Sequence, residues 1–79
     1  MIKVLFFGPV ADRVQMRETQ VEFNVGMTLH DVIAHLGIQY PGAFSLVSFI
    51  AVNQTQVHDK QMALHDNDEI AFMAKFSGG

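Results

Sequence analysis

Cysteine is absent from this chain of 79 residues, and that absence removes several kinds of chemistry together. There is no disulfide framework, no thiolate nucleophile and no cysteine-based metal site. Basic residues are few: Lys3, Arg13, Arg17, Lys60 and Lys75 are scattered, and the formal net charge is −3. With no basic stripe to follow a phosphate backbone, nucleic acid is not an expected partner. Long apolar runs are missing too. The opening MIKVLFFGP is stopped by Gly8-Pro9, too early for a signal segment or a membrane span. The expectation is a cytoplasmic protein with no membrane partner. Glycine-rich phosphate loops and nucleophile-elbow motifs are also lacking.

What is present is apolar mass, 49% of the residues, enough for one core and no second. The chain reads as a single domain, 1–79. Ile2 to Phe7 is an apolar run of strand length, and a short helix or loop is expected over Val10 to Gln15. Thr19 to Val25 alternates, with Val21, Phe23 and Val25 on one face, which predicts a half-buried strand antiparallel to the first. Gly26 breaks it. Thr28 and Asp31 have the spacing of a capping box. Leu29, Val32, Ile33 and Leu36 then follow helical spacing, and Gly37 stands where a C-terminal glycine belongs. Tyr40-Pro41-Gly42 is a turn signal. Phe49 to Val52 reads as a strand, NQT as its turn, Gln56-Val57 as a short return strand, His65 to Asp68 as a turn, and Glu69 to Phe76 as the last strand. The sum is an α+β sheet of about five strands with one main helix on one face.

The first and last strands are apolar on both sides. Ile2, Val4, Phe6, Ile70 and Phe72 share the face that the helix can cover. Leu5, Phe7, Ala71 and Met73 remain on the other, and a patch of this kind marks a partner surface.

Catalytic and metal signals do not converge. His30 and His35 are five apart on the helix, outside the i, i+4 spacing of paired ligands. His58 and His65, like His30, each precede an aspartate, but adjacency in sequence is not a catalytic pair. Asp66, Asp68 and Glu69 lack the glycine and the distant glutamate of a calcium loop. All four histidines read as surface or loop residues, and no resident metal or cofactor is expected.

The chain ends in KFSGG. About seven residues past Phe72 can extend roughly 20–25 Å from the body. Phe76 can anchor such an arm, contributing roughly 1.5–3 kcal/mol if buried. Without Cβ atoms, Gly78 and Gly79 can thread a narrow channel. The terminal carboxylate is ionised at neutral pH and a poor electrophile, but as an acyl-adenylate it becomes attackable, and a terminal glycine leaves its carbonyl unhindered.

MIKVLFF at the start, AVNQT at Ala51 to Thr55, and DEIAF followed by SGG at the end resemble the small subunits of molybdopterin synthase, a family of ubiquitin-like β-grasp sulfur carriers. The likeness spans nearly the whole chain, in matching order and spacing. It implies a β-grasp fold, with 74–79 as an extended reactive tail, in a subunit that is not catalytic alone. It further implies that an adenylyltransferase resembling ubiquitin-activating (E1-like) enzymes uses ATP to adenylate Gly79. Sulfur then replaces the adenylate to give a thiocarboxylate. The tail, Lys75, Phe76, Ser77 and Gly78, would enter the large synthase subunit within a heterotetramer. There Gly79 would donate sulfur to a cyclic pyranopterin monophosphate in molybdenum cofactor biosynthesis. Phe7 matches a family position at the partner interface, and Leu5, Met73, Ala71 and Gln56 complete the expected patch. Met73 stands where the family often has an aromatic residue, and Gln56 where it often has leucine.

Three other readings share these features. One is a sulfur carrier for thiamine thiazole synthesis, the second a ubiquitin-like modifier joined to lysines through Gly79, and the third a binding domain whose tail is idle.

Overall fold

The computed structural model describes residues 1–75. In chain order these form β1 (Ile2–Phe6), α1 (Gly8–Val14), β2 (Glu18–Val21), α2 (Leu29–Gln39), α3 (Pro41–Phe44), β3 (Val47–Val52), β4 (Thr55–Val57) and β5 (Glu69–Ala74). One mixed five-stranded sheet has the order β2-β1-β5-β3-β4. β1 and β5 run parallel at its centre, and the other neighbours are antiparallel. This is the β-grasp arrangement expected from the sequence. Among the described residues no helix is long and apolar enough to cross a membrane.

Strand alternation sorts the side chains onto two faces. Ile2, Val4 and Phe6 of β1, Ile70 and Phe72 of β5, and Ile50 and Val52 of β3 are buried in one core. Phe72 is its centre. The ring stacks on Phe6 at 6.2 Å and meets the edge of Phe44 at 4.9 Å. Burying one such side chain contributes about 1.5–3 kcal/mol.

The main helix begins as its sequence dictates. The Thr28 N–H donates to Asp31 Oδ2 at 2.8 Å, and the Asp31 N–H donates to Thr28 Oγ1 at 3.3 Å, so both halves of the capping box form. Leu29, Val32 and Leu36 are buried and Ile33 is half-buried. Two more helices join α2 on the core side, since Val10 and Val14 of α1 and Ala43 of α3 belong to the same cluster. The expectation of a single covering helix was therefore too spare, yet the added helices leave the outer face of the sheet open.

Several boundaries differ from expectation for identifiable reasons. Pro9 sits in the first turn of α1, where its missing N–H costs nothing. The dipeptide that stops β1 thus also starts a helix. β2 ends at Val21, opposite Ile2, the first residue of β1; the Met1 carbonyl instead accepts the Asn67 N–H at 3.1 Å. The chain then turns through Gly26 at φ 87°, and Val25 is left 97% exposed rather than inward. Gly37 lies inside α2, not after it. The helix persists until Tyr40, whose N–H still donates to the Leu36 carbonyl at 2.8 Å. Pro41 forces the stop by disfavouring helical geometry at the preceding residue, and it opens α3 where only a turn was expected. β3 starts at Val47, ahead of Phe49. β5 holds Ala74 in its ladder opposite Val47, so the residue expected to open the tail still belongs to the sheet.

A bulge interrupts β3 just ahead of Phe49. Val47 pairs with Ala74 and Phe49 with Met73, leaving Ser48 as an extra residue in β3. An extra residue resets the alternation of the bulged strand. Val47 is thereby turned toward the core, while past the bulge the regular alternation puts Ile50 in the core and Phe49 on the outer side, 40% exposed.

A polar staple ties the β3–β4 turn to the start of β5. Asn53 and Gln54 both have left-handed backbones, φ 52° and 69°, the pairing that a tight hairpin turn requires. The Asn53 side-chain amide donates to Asp68 Oδ1 at 2.9 Å, and its carbonyl oxygen accepts the Glu69 N–H at 3.0 Å. Asp68, 8% exposed, also accepts the His65 N–H at 2.8 Å through Oδ2. Asn53 is thus the functional centre of the AVNQT motif in a structural sense, closing the end of the sheet at which β5 begins.

Two substitutions separate these features by urea denaturation. Phe72→Ala should cost about 3–5 kcal/mol, as expected for a buried aromatic residue, while Phe49→Ala should cost less than about 1 kcal/mol. Comparable losses at both would contradict the assignment of faces. Asn53→Ala should cost about 2 kcal/mol by leaving a buried carboxylate and a backbone donor under-satisfied. A loss within about 0.5 kcal/mol would show that the staple contributes little.

Candidate functional site

The outer face of the sheet is organised in rows set by strand register. At one end Gln20, Lys3 and Glu69 lie side by side. Lys3 Nζ stands 4.0 Å from both Glu18 and Glu69, an exposed arrangement of the kind worth about 0–1 kcal/mol per pair. In the middle a row runs across all five strands: Glu18, Leu5, Ala71, Ala51 and Gln56. At the far end Met73 pairs with Phe49. Phe7 adjoins them, its N–H donating to the Phe72 carbonyl at 3.1 Å and carrying the β1–β5 ladder one residue past the strand. Polarity therefore falls steadily along the strands, from a charged row to an aromatic one.

The apolar end is concave. Phe7, Pro9, Phe49, Met73 and Ala74 surround a depression of about 290 Å³. Phe7 is 48% exposed, and Leu5, Ala71 and Met73 are half-buried. β5 delivers the chain to this end, so Lys75, which is exposed, leaves the sheet beside the depression. The geometry suits docking of an apolar surface next to the point at which the C-terminal segment departs. Among the described residues its lining holds no acid, base or nucleophile.

The structure brings together Leu5, Phe7, Ala71 and Met73, the patch expected from the sequence. Gln56 sits at the β4 end of the Leu5 row and is exposed, so that edge of the patch is polar. Phe76, Ser77, Gly78 and Gly79 lie outside the described residues. Phe49 was missed as a patch member. Its signal was present, since Ile50 and Val52 inward put Phe49 and Ala51 outward, but it required the pairing of β3 with β5 to be known. Asn53 stands within the AVNQT motif, whose sequence gives no sign of its contact with Asp68, fifteen residues on.

The histidines take no part in this site. His30, His35, His58 and His65 are all exposed. Among the described residues no three of His, Asp and Glu come together as a metal site. The Asp68 carboxylate is occupied by the staple, the Glu69 carboxylate stands by Lys3, and the Met1 ammonium hydrogen-bonded to Asp66 holds that exposed carboxyl below its ordinary range.

Fold comparison agrees with this architecture. The chain is similar to SAMP1 from Haloferax volcanii, with a TM-score of 0.84 at 19% identity, covering 99% of this chain and 98% of that one. It is also similar to a putative molybdopterin converting factor subunit 1 from Pyrococcus furiosus, with a TM-score of 0.82 at 20% identity, covering 95% and 97%. A complex of subunits 1 and 2 of the molybdopterin-converting factor from Helicobacter pylori contains a chain matching at a TM-score of 0.68 and 24% identity, covering 99% and 97%. Identities this low speak for the fold alone. No curated protein sequence matches the chain. The ThiS family model matches residues 4–79, nearly the full length and through the Gly78-Gly79 ending, and on that match the chain belongs to the ThiS family of ubiquitin-like sulfur carriers.

Proposed function

We propose that this protein is the sulfur-carrying small subunit of a molybdopterin synthase. The observation that carries the reading is the coincidence, at one end of the sheet, of the apolar depression and the departure of the chain toward Gly79. A docking surface beside a reactive terminus is what a carrier requires, because the partner must hold the body while the tail reaches its active site. An E1-like adenylyltransferase activates the Gly79 carboxylate with ATP, releasing pyrophosphate. A sulfide-equivalent donor then displaces AMP, so that one carboxylate oxygen is replaced by sulfur. The resulting thiocarboxylate is delivered to the cyclic pyranopterin monophosphate in the large subunit's site.

Support comes from the AVNQT and SGG motifs at their expected places and from the family match through residue 79. The Helicobacter pylori relative, found in complex with its subunit 2, supports a large-subunit partner by analogy. In this reading Phe7, Phe49 and Met73 contact the partner, while Lys75, Phe76, Ser77 and Gly78 enter its channel. A second reading is favoured by a different observation. Two of the similar structures are of small archaeal modifier protein 1 from Haloferax volcanii, which supports a modifier joined to lysines through Gly79.

Intact mass after incubation with ATP, the activating enzyme and a sulfur source should rise by one sulfur-for-oxygen exchange, and deletion of Gly79 should abolish the rise. An unchanged mass beside a working control carrier would overturn the carrier reading, and isopeptide-linked conjugates in extract without the exchange would favour the modifier. Phe7→Asp should leave the domain folded and weaken binding to the large subunit by at least about tenfold, as expected for losing a central aromatic contact. Calorimetric titration showing equal affinity would remove Phe7 from the interface.

A further inference from the structure

A second cleft opens on the opposite side of Phe49, at the β3–β4 edge. β4 pairs with β3 only from Ile50 to Val52. Beyond Val57 the chain is drawn away toward the start of α2, where the Lys60 carbonyl accepts the His30 N–H at 2.7 Å and the Met62 carbonyl accepts the Leu29 N–H at 3.1 Å. A bridge between Thr28 and Ala63 fixes the same divergence. Val47 to Phe49 therefore have β5 on one flank and, among the described residues, no strand on the other. The gap left between them and the departing chain is a cavity of about 350 Å³. Ligand cavities span roughly 300–1,000 Å³, so this one is small for a cofactor.

The lining specifies what fits. Ile33 and Phe44, both half-buried, give it an apolar floor, while His58 and Lys60 are the charged or titratable side chains at its rim. Asp59, between them in sequence, accepts the Gln61 N–H at 2.9 Å and does not line the cavity. Among the described residues neither His58 nor Lys60 is in an ion pair. The result is an unpaired strand flank, an apolar floor and a cationic rim, on a chain whose formal net charge is −3.

We propose that this cleft binds an extended peptide of a partner protein, one that adds as a strand beside Val47–Phe49, places an aliphatic side chain against Ile33 and Phe44, and presents a carboxylate to Lys60. Strand addition draws affinity from main-chain hydrogen bonds and specificity from alternate side chains. The cationic rim selects an acidic segment over a basic one, by attraction in one case and repulsion in the other. The site is distinct from the apolar depression at Phe7 and does not depend on the sulfur chemistry.

The test uses the full chain, labelled with ¹⁵N, and the blocked peptide acetyl-Val-Ile-Val-Asp-Glu-Asp-amide, with a lysine version and a version N-methylated at the central residues. The acidic peptide should shift the amide resonances of Val47 to Phe49 and Val57 to Lys60. The lysine and N-methylated peptides should bind at least about tenfold more weakly. Lys60→Glu, at an exposed position that leaves the fold intact, should lose affinity for the acidic peptide by a similar factor and gain it for the basic one. Shifts confined to Phe7, Met73 and the outer face would overturn the proposal. So would equal binding of the acidic and basic peptides, indifference to N-methylation, or no shifts at millimolar peptide.

Discussion

The parallel pairing of β1 with β5 is the constraint on which the rest depends. Two strands at the centre of a sheet have neighbours on both flanks, and here both carry apolar residues on both faces, the outer face being charged only at the Lys3–Glu69 end. One face is covered by three helices packed around Phe72. Because a domain of this size has too little chain to cover the second, Leu5, Ala71, Met73 and the aromatic pair of Phe7 and Phe49 stay accessible. The pairing is also what aims the chain. β5 enters at the end held by the Asn53–Asp68 staple and leaves at the apolar end, so the apolar depression and the point where the chain leaves the sheet coincide without a dedicated loop to join them.

Local chemistry made much of this legible beforehand. β1, α2 with its Thr28–Asp31 box, the short hairpin of β3 and β4, and the last strand all follow from period, capping and turn residues within a few positions of one another. The inward set from Ile2 to Phe72 and the outward set of Leu5, Phe7, Ala71 and Met73 follow from alternation alone. What eluded the sequence reading depends on partners distant in the chain. Val25 continues an alternating pattern, yet the strand beside it has already ended. Gly37 has the composition of a stop signal, but Pro41 determines the stop. Phe49 faces outward by regular alternation from Ile50, but its place beside Met73 needs the pairing of β3 with β5, and the bulge at Ser48 that turns Val47 inward has no local marker when neither glycine nor proline is involved.

The candidate site was legible to a comparable degree. The apolar patch was visible as a surplus that one helix could not cover, and the added helices did not remove it. The terminal glycines carried their meaning through chemistry and through likeness to a family, not through geometry. The role of Asn53 was hidden inside a recognisable motif: its amide must meet Asp68 and Glu69, which are fifteen and sixteen residues away. Phe49 marks the ridge between the apolar depression on one side and the mixed cleft on the other. A change at this residue therefore reaches both surfaces.

The same central pairing has a mechanical meaning. A partner that draws the C-terminal segment into a channel pulls along the axis of β5. That strand is flanked by β1 on one side and β3 on the other, and the load falls across both ladders in shear, so that many hydrogen bonds must yield together instead of opening one by one from an end. Tension applied at Lys75 is thus carried by a strand paired on both flanks. The carrier can be gripped by its tail without being unravelled.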